Sequence, residues 1–265
     1  MVVELGWIVL ACWLAAAVGM TALWLVQRST GNAGIVDAGW AAGLGLSALW
    51  FYLSGAADPE RGLLVLALAG VWSVRLAYYL VVDRVLTEEE DGRYQRLRRY
   101  WGERAQPWLL VFFQAQAVFV VIFAVPFLAA MVNDAPFPRV WDLLAVAVWL
   151  VSVGGESLAD RQLARFRADP ANRGKTCRAG LWRYSRHPNY FFEWIHWWAY
   201  VLLAVGSWSL WVALAGPFVM LLFLFRLTGI PYTEDQALAS RGDDYRRYQQ
   251  ETNAFFPWFP RKEAP

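Results

Sequence analysis

Seven long runs of apolar residues decide what this chain can fold into. They lie at about 5–26, 35–54, 63–82, 107–132, 141–158, 190–205 and 208–227, with polar turns between them. The apolar residues come as continuous runs, not as stripes at helical spacing. A helix of about 20 such residues matches the ~30 Å apolar thickness of a bilayer. No water reaches backbone amides in that layer, so each run must satisfy them within itself, as a helix does. With 58% hydrophobic and only 17% charged residues, the chain carries too little charge for a soluble domain of 265 residues. The sequence therefore predicts an all-α, polytopic membrane protein, with residues 1–265 as a single membrane domain.

Cations orient the spans. With seven crossings, the loops after spans one, three, five and seven share one side and hold 20 of the 24 Lys and Arg residues. The opposite side holds Arg61 and Arg139, while Arg75 and Arg226 fall within spans. The positive-inside rule then places the amino end outside and the tail in the cytosol. Span one has Glu4 before it and Arg28 after it, the reverse of a secretory leader, so it reads as a retained helix. Segment 83–106 reads as an interfacial, partly helical stretch, with Tyr94, Leu97 and Trp101 at helical spacing. The tail, 231–265, reads as polar and helical to about Gln250.

The densest chemistry lies in residues 156–193. Eight cations fall there, namely Arg161, Arg165, Arg167, Arg173, Lys175, Arg178, Arg183 and Arg186, together with Asp160, His187, Asn189, Tyr190 and Glu193. Cations gathered at the mouth of a helical bundle suit a polyanion such as a nucleotide phosphate. Of the 24 cations, 22 are Arg, whose planar fork matches phosphate, although a GC-rich genome gives the same bias. Asp37, Arg75, Glu156, Glu193 and Arg226 sit at or near the cytosolic ends of spans. Such groups are costly in lipid unless they pair or face water. Helix-to-helix clamps or snorkelling account for any one of them; five at one end suggest a polar cavity open to the cytosol. His187 and His196 are the only histidines and do not form a metal site. Cys12 and Cys177 form no disulfide framework. The glycines of GLGLSALW and SVGG follow no strand, so they read as close-packing residues, not nucleotide loops.

Three stretches resemble the steroid 5α-reductase family of membrane reductases. These are RHPNYFFE with Asn189 and Glu193, WSVRLAYY with Arg75, and the tail RLTGIPYTEDQAL with DDYRRYQQ. Asp160 followed by Arg165 and Arg167 also matches. The resemblance implies NADPH as cofactor, lying between the cytosolic loops and the bundle, with the tail covering it. Its phosphates would fall to Arg165, Arg167, Arg173, Lys175 and Arg186. Asp160, Asn189 and Glu193 would take ribose hydroxyls or the carboxamide. Arg75, Tyr184, His187, Tyr190, Arg226, Glu234 and Tyr245 would complete the binding set. The implied reaction is hydride transfer to the β-carbon of a 3-oxo-4-ene steroid. The family's carbonyl donors match Asp37, which burial would keep protonated, and Trp72, which stands where the family has tyrosine. An indole N–H donates a hydrogen bond but supplies no proton, so water delivers the last one. The implied partners are a steroid or other flat apolar enone and membrane lipid, with no nucleic acid, in a monomer of the bacterial inner membrane. Rival readings are a sterol C=C reductase, an isoprenylcysteine-type carboxyl methyltransferase using S-adenosylmethionine, and a transporter or lipid scaffold.

Overall fold

The computed structural model describes residues 2–86, 90–227 and 229–261. Residues 87–89 of the interfacial segment and 262–265 of the tail, with Lys262, lie outside the described residues. The described chain is helical throughout, in two compact units, Met1–Arg139 with Leu203–Ala213, and Val140–Leu202 with Leu214–Pro265. Among the described residues, five stretches are long and apolar enough to cross a membrane: Val3–Thr30, Pro59–Val85, Gly92–Met131, Val140–Ala168 and Leu210–Arg241. The apolar part of the last ends at Leu227, before a charged helix. The other two runs expected from the sequence form helices of 19 and 16 residues, Ile35–Leu53 and Pro188–Leu203.

The first unit is built from α1 (Val2–Thr30), α2 (Ile35–Leu53), α3 (Pro59–Leu80), α4 (Gly92–Trp101) and α5 (Ala105–Met131), with the short α8 (Leu210–Ala213). Small residues let α2 approach three neighbours. A Cβ on Gly39 would meet Leu23 of α1, one on Gly43 would meet Val120 of α5, and one on Gly45 would lie 2.4 Å from Ser73 Oγ of α3. Ser73 uses that proximity and donates to the Ala41 carbonyl at 2.6 Å. Large apolar side chains, including Leu44, Phe51, Trp72, Phe113, Phe123 and Phe127, fill the interior. Helix α3 starts at Pro59, four residues before the apolar run. Asp58 caps it by accepting from the Arg61 amide at 2.9 Å, and proline suits the first helical position. Arg61 is fully buried, because its guanidinium donates to the carbonyls of Asn133, Ala135 and Pro136.

A π-helical turn, Val81–Val85, closes α3 and carries Arg84. Helix α4 follows, capped by Asp91, with Tyr94 buried and Leu97 and Trp101 packed inward, as the helical spacing predicts.

The second unit contains α6 (Val140–Ala168), α7 (Pro188–Leu203) as far as Leu202, α9 (Ala215–Leu222), α10 (Ile230–Arg241) and α11 (Asp243–Glu251). Helix α6 runs ten residues past the expected end of its span and carries Asp160, Arg165 and Arg167 on a rigid element. A second π-helical turn, Phe223–Leu227, ends the last apolar stretch and holds Arg226. Gly155 lets α7 approach α6. A Cβ there would fall 2.5 Å from the Phe192 ring.

Candidate functional site

Helix α6 ends at Ala168. Asp169 then starts a 3₁₀ turn, Pro170–Asn172, by accepting from the Ala171 amide at 2.9 Å. Asn172 Nδ2 donates back to the Phe166 carbonyl at 3.0 Å, and the chain reverses at Gly174, φ +75°. The reversal leaves a pocket of about 340 Å³, lined by Leu163, Phe166, Arg167, Asp169, Arg173, Lys175, Cys177 and Arg241, among others. Four cations thus face one pocket beside a single carboxylate. Arg173 and Lys175 are exposed and have no ion partner among the described residues. Burial and the positive charge of Arg167 hold Arg241 below its ordinary pKa. Like charges set this close favour an anion between them, since an anion relieves their repulsion as well as its own desolvation. Arg165 is exposed and lies outside the lining.

Beside this pocket, the Arg-His-Pro step is fastened to the tail. Arg186 Nε donates to Glu234 Oε1 at 2.7 Å, and its Nη1 donates to the carbonyls of Gln249 at 3.0 Å and Thr252 at 2.5 Å. His187 Nε2 lies 3.2 Å from the same Glu234 oxygen, and Gln249 Nε2 donates to Glu234 Oε2 at 2.9 Å. Burial works to raise the Glu234 carboxyl. The bonds from His187, Arg186 and Gln249, with the Arg186 charge, outweigh it and push the group down to about 2. Burial holds His187 below its ordinary pKa, against the pull of Glu234. The His187 ring stacks on Tyr190, centroids 5.3 Å apart, and Tyr190 OH pairs with Thr233 Oγ1 at 3.2 Å.

Tyr184 accepts at its carbonyl from the Trp258 amide at 2.9 Å. Tyr245 is buried against Tyr248, whose hydroxyl donates to the carbonyls of Trp182 and Ser185. Arg186, His187, Tyr184, Tyr190, Glu234 and Tyr245, all expected to touch a cofactor, are therefore the fastening between loop and tail. Arg186 has its Nε and Nη1 donors committed to the tail. Arg226 is exposed on its π-turn.

A third group lies where α6 meets α7. Glu156, Asp160 and Glu193 are all buried. Asn189 Nδ2 donates to Asp160 Oδ1 at 3.3 Å, and its own Oδ1 accepts from the Tyr190 amide at 3.0 Å. Trp197 Nε1 donates to Glu193 Oε1 at 3.3 Å, and His196 Nε2 pairs with Tyr200 OH at 2.9 Å. The structure thus brings together Asp160 and Asn189, which lie 29 residues apart in sequence, and sets Glu193 one helical turn beyond.

In the first unit, Asp37 needs correcting. The sequence reading makes it a protonated donor. Instead, its Oδ1 accepts from Tyr94 OH at 2.8 Å, and its Oδ2 accepts from Arg93 Nη2 at 2.7 Å and from Arg84 Nη1. A carboxyl facing two guanidiniums and a phenol is an ionised acceptor, with no proton to give. Arg84, Arg93 and Tyr94 are the functional-looking residues that sequence reasoning missed. Their signal was an Arg-Tyr pair on a segment read as interfacial. Trp72 is fully buried and meets Trp40 edge-on, centroids 6.4 Å apart, which is a core position. Arg75 is half-buried on α3. Among the described residues, no group of three His, Cys, Asp or Glu side chains is placed to hold a metal ion.

Compared with known proteins, residues 23–252 match the family described as "protein of unknown function (DUF1295)". The chain is also similar to an uncharacterised protein of Schizosaccharomyces pombe, 28% identical over 270 residues, covering 89% of this chain and 75% of the yeast protein. No solved structure matches.

Proposed function

Since the chain belongs to the DUF1295 family, and since four cations converge on one pocket at the end of α6, we propose that it is a membrane reductase using NADPH. Its proposed reaction is reduction of the 4,5 double bond of a 3-oxo-4-ene steroid or a similar flat enone. The pocket carries the reading. A volume of about 340 Å³ suits the phosphate-bearing end of a nucleotide, not the whole dinucleotide. Arg167, Arg173, Lys175 and Arg241 would hold the phosphates. Asp160 and Asn189 offer an acceptor and a donor to ribose hydroxyls or an amide. NADPH supplies a hydride for the enone β-carbon, and water supplies the proton that completes the α-carbon.

Asp37 is a positioning residue in this reading, fixing Arg84, Arg93 and Tyr94. The same reading takes seven crossings, counting α2 and α7 with the five long stretches. The amino end lies outside, and the cationic loops and tail lie in the cytosol.

The test uses the purified full chain in detergent with NADPH and progesterone. Nicotinamide oxidation coupled to a product two hydrogens heavier supports the reading. Saturable NADPH binding without turnover keeps the cofactor and rejects this substrate class. Binding of S-adenosylmethionine in place of NADPH overturns the reading.

A further inference from the structure

We propose that residues 255–261 form an aromatic foot that rests in the lipid headgroup region beside the last span. Three large side chains in this short segment face outward: Phe256 is 58% exposed, Trp258 68% and Phe259 74%. They are not on a loose end. The Arg186 amide donates to the Asn253 carbonyl at 2.9 Å, the Trp258 amide to the Tyr184 carbonyl at 2.9 Å, and the Arg261 amide to the Glu251 carbonyl at 2.8 Å. The backbone is therefore pinned at three points. Phe256 meets Trp194 edge-on at 5.9 Å and Phe259 meets Tyr184 at 5.9 Å, yet most of each ring stays exposed.

What covers them follows from where the segment is anchored. Phe255 is buried, and its ring lies 5.1 Å from that of Phe225, on the turn that ends the last apolar stretch. It also meets Phe191 at 5.7 Å and Trp194 at 5.9 Å, in the first turns of α7. The segment thus sits at the level where spanning helices end. Phe218, Leu222, Phe225 and Leu227 are exposed along the last stretch, as a lipid-facing surface must be. Phe256, Trp258 and Phe259 continue that surface past its end, with Arg261 following. Aromatic rings with a cation at the end of a lipid-facing strip are the composition of a membrane–water boundary. Lipid also fits better than water on energetic grounds, because three rigidly held rings would otherwise stay hydrated.

Spin labels test this directly. Phe256→Cys, Trp258→Cys and, as an aqueous control, Gln250→Cys on exposed α11 would each be placed in a Cys12→Ser, Cys177→Ser background, since both native thiols are buried. Each labelled full chain would be reconstituted in nanodiscs of phosphatidylcholine and phosphatidylglycerol. Relaxation by oxygen, which concentrates in lipid, would be compared with relaxation by a water-soluble nickel chelate. We expect labels at 256 and 258 to favour oxygen over nickel several-fold more than the label at 250. Equal nickel access at all three positions overturns the proposal. Shielding of 256 and 258 from both reagents also overturns it, in favour of a protein partner. No outcome depends on cofactor or substrate.

Discussion

Replacing Glu234 with glutamine should loosen the tail from the Arg-His-Pro loop without touching an apolar contact. The carboxylate joins Arg186, His187 and Gln249, and this pushes its pKa from an ordinary 4.5 to about 2. That displacement corresponds to a ceiling of about 3 kcal/mol. The side chain is 15% exposed, and solvent screening leaves about 1–2 kcal/mol. The observable is hydrogen exchange at the amides of Arg186 and Trp258, which bond across the loop–tail junction. Their protection at pH 6 should fall by about 5- to 30-fold in the variant, the same energy read as an opening equilibrium. The sign with pH is fixed. A depressed carboxyl pKa stabilises fully above its ordinary value, and that stabilisation is lost as pH falls from 4.5 towards 2. Once intrinsic rates are removed, wild-type protection should therefore decline more steeply through that window than the variant's, whose remaining decline belongs to Asp244 and its bonds to Thr176 and Arg178. Equal protection at pH 6, or a parallel acid decline in both proteins, refutes the role given to Glu234.

Three further outcomes follow from the geometry. On the proposed NADPH reading, Arg167→Ala and Arg241→Ala should each weaken NADPH binding by about 10-fold or more, the worth of one charge-assisted bond, as titration of the purified chain would read; unchanged affinity in both moves the phosphate away from this pocket. Asp37→Ala should lower thermal stability by about 1–3 kcal/mol, because it removes the acceptor that Arg84 and Arg93 share and leaves their pairing to Asp91, and Asp37→Asn should cost less because it keeps an acceptor; equal melting of wild type and Asp37→Ala removes the ion cluster from the account. Gly155→Ala should destabilise by about 1–3 kcal/mol, since its methyl group enters the space of the Phe192 ring, and denaturation with a graded detergent would show it; a variant as stable as wild type means the two helices can part freely.

Much of the architecture was legible in the sequence because lipid imposes a simple rule. Apolar runs of sufficient length had to be helices, and they are. The small residues of GLGLSALW and SVGG were read as packing contacts, and Gly45 against Ser73 and Gly155 against Phe192 are such contacts. Asp160 and Asn189, assigned together from the sequence, do lie in hydrogen-bond contact. What could not be read was the choice each charge makes among partners. Arg186 looked like a phosphate ligand, but Glu234 lies 48 residues away in sequence and claims it at 2.7 Å. Asp37 looked buried and neutral because Arg93 sits on a segment read as lying at the interface, 56 residues away in sequence. Charge identity is local, whereas the field that sets its state comes from distant segments, and no spacing rule encodes that.

The fastening of loop to tail also sets an order of events during synthesis. The loop bearing Thr176, Arg178, Ser185 and Arg186 leaves the ribosome 48 to 70 residues ahead of the groups that hold it, Glu234, Asp244 and the carbonyls of Thr252 and Phe255. Arg241, which lines the cationic pocket, arrives equally late. Chains normally fold from the amino end as they emerge. Here the arginines of α6 and its loop must wait, fully charged and unassembled, until the tail appears. A nascent chain halted before residue 234 would therefore carry the α6 end of the pocket without Arg241, and its loop without the groups that fasten it.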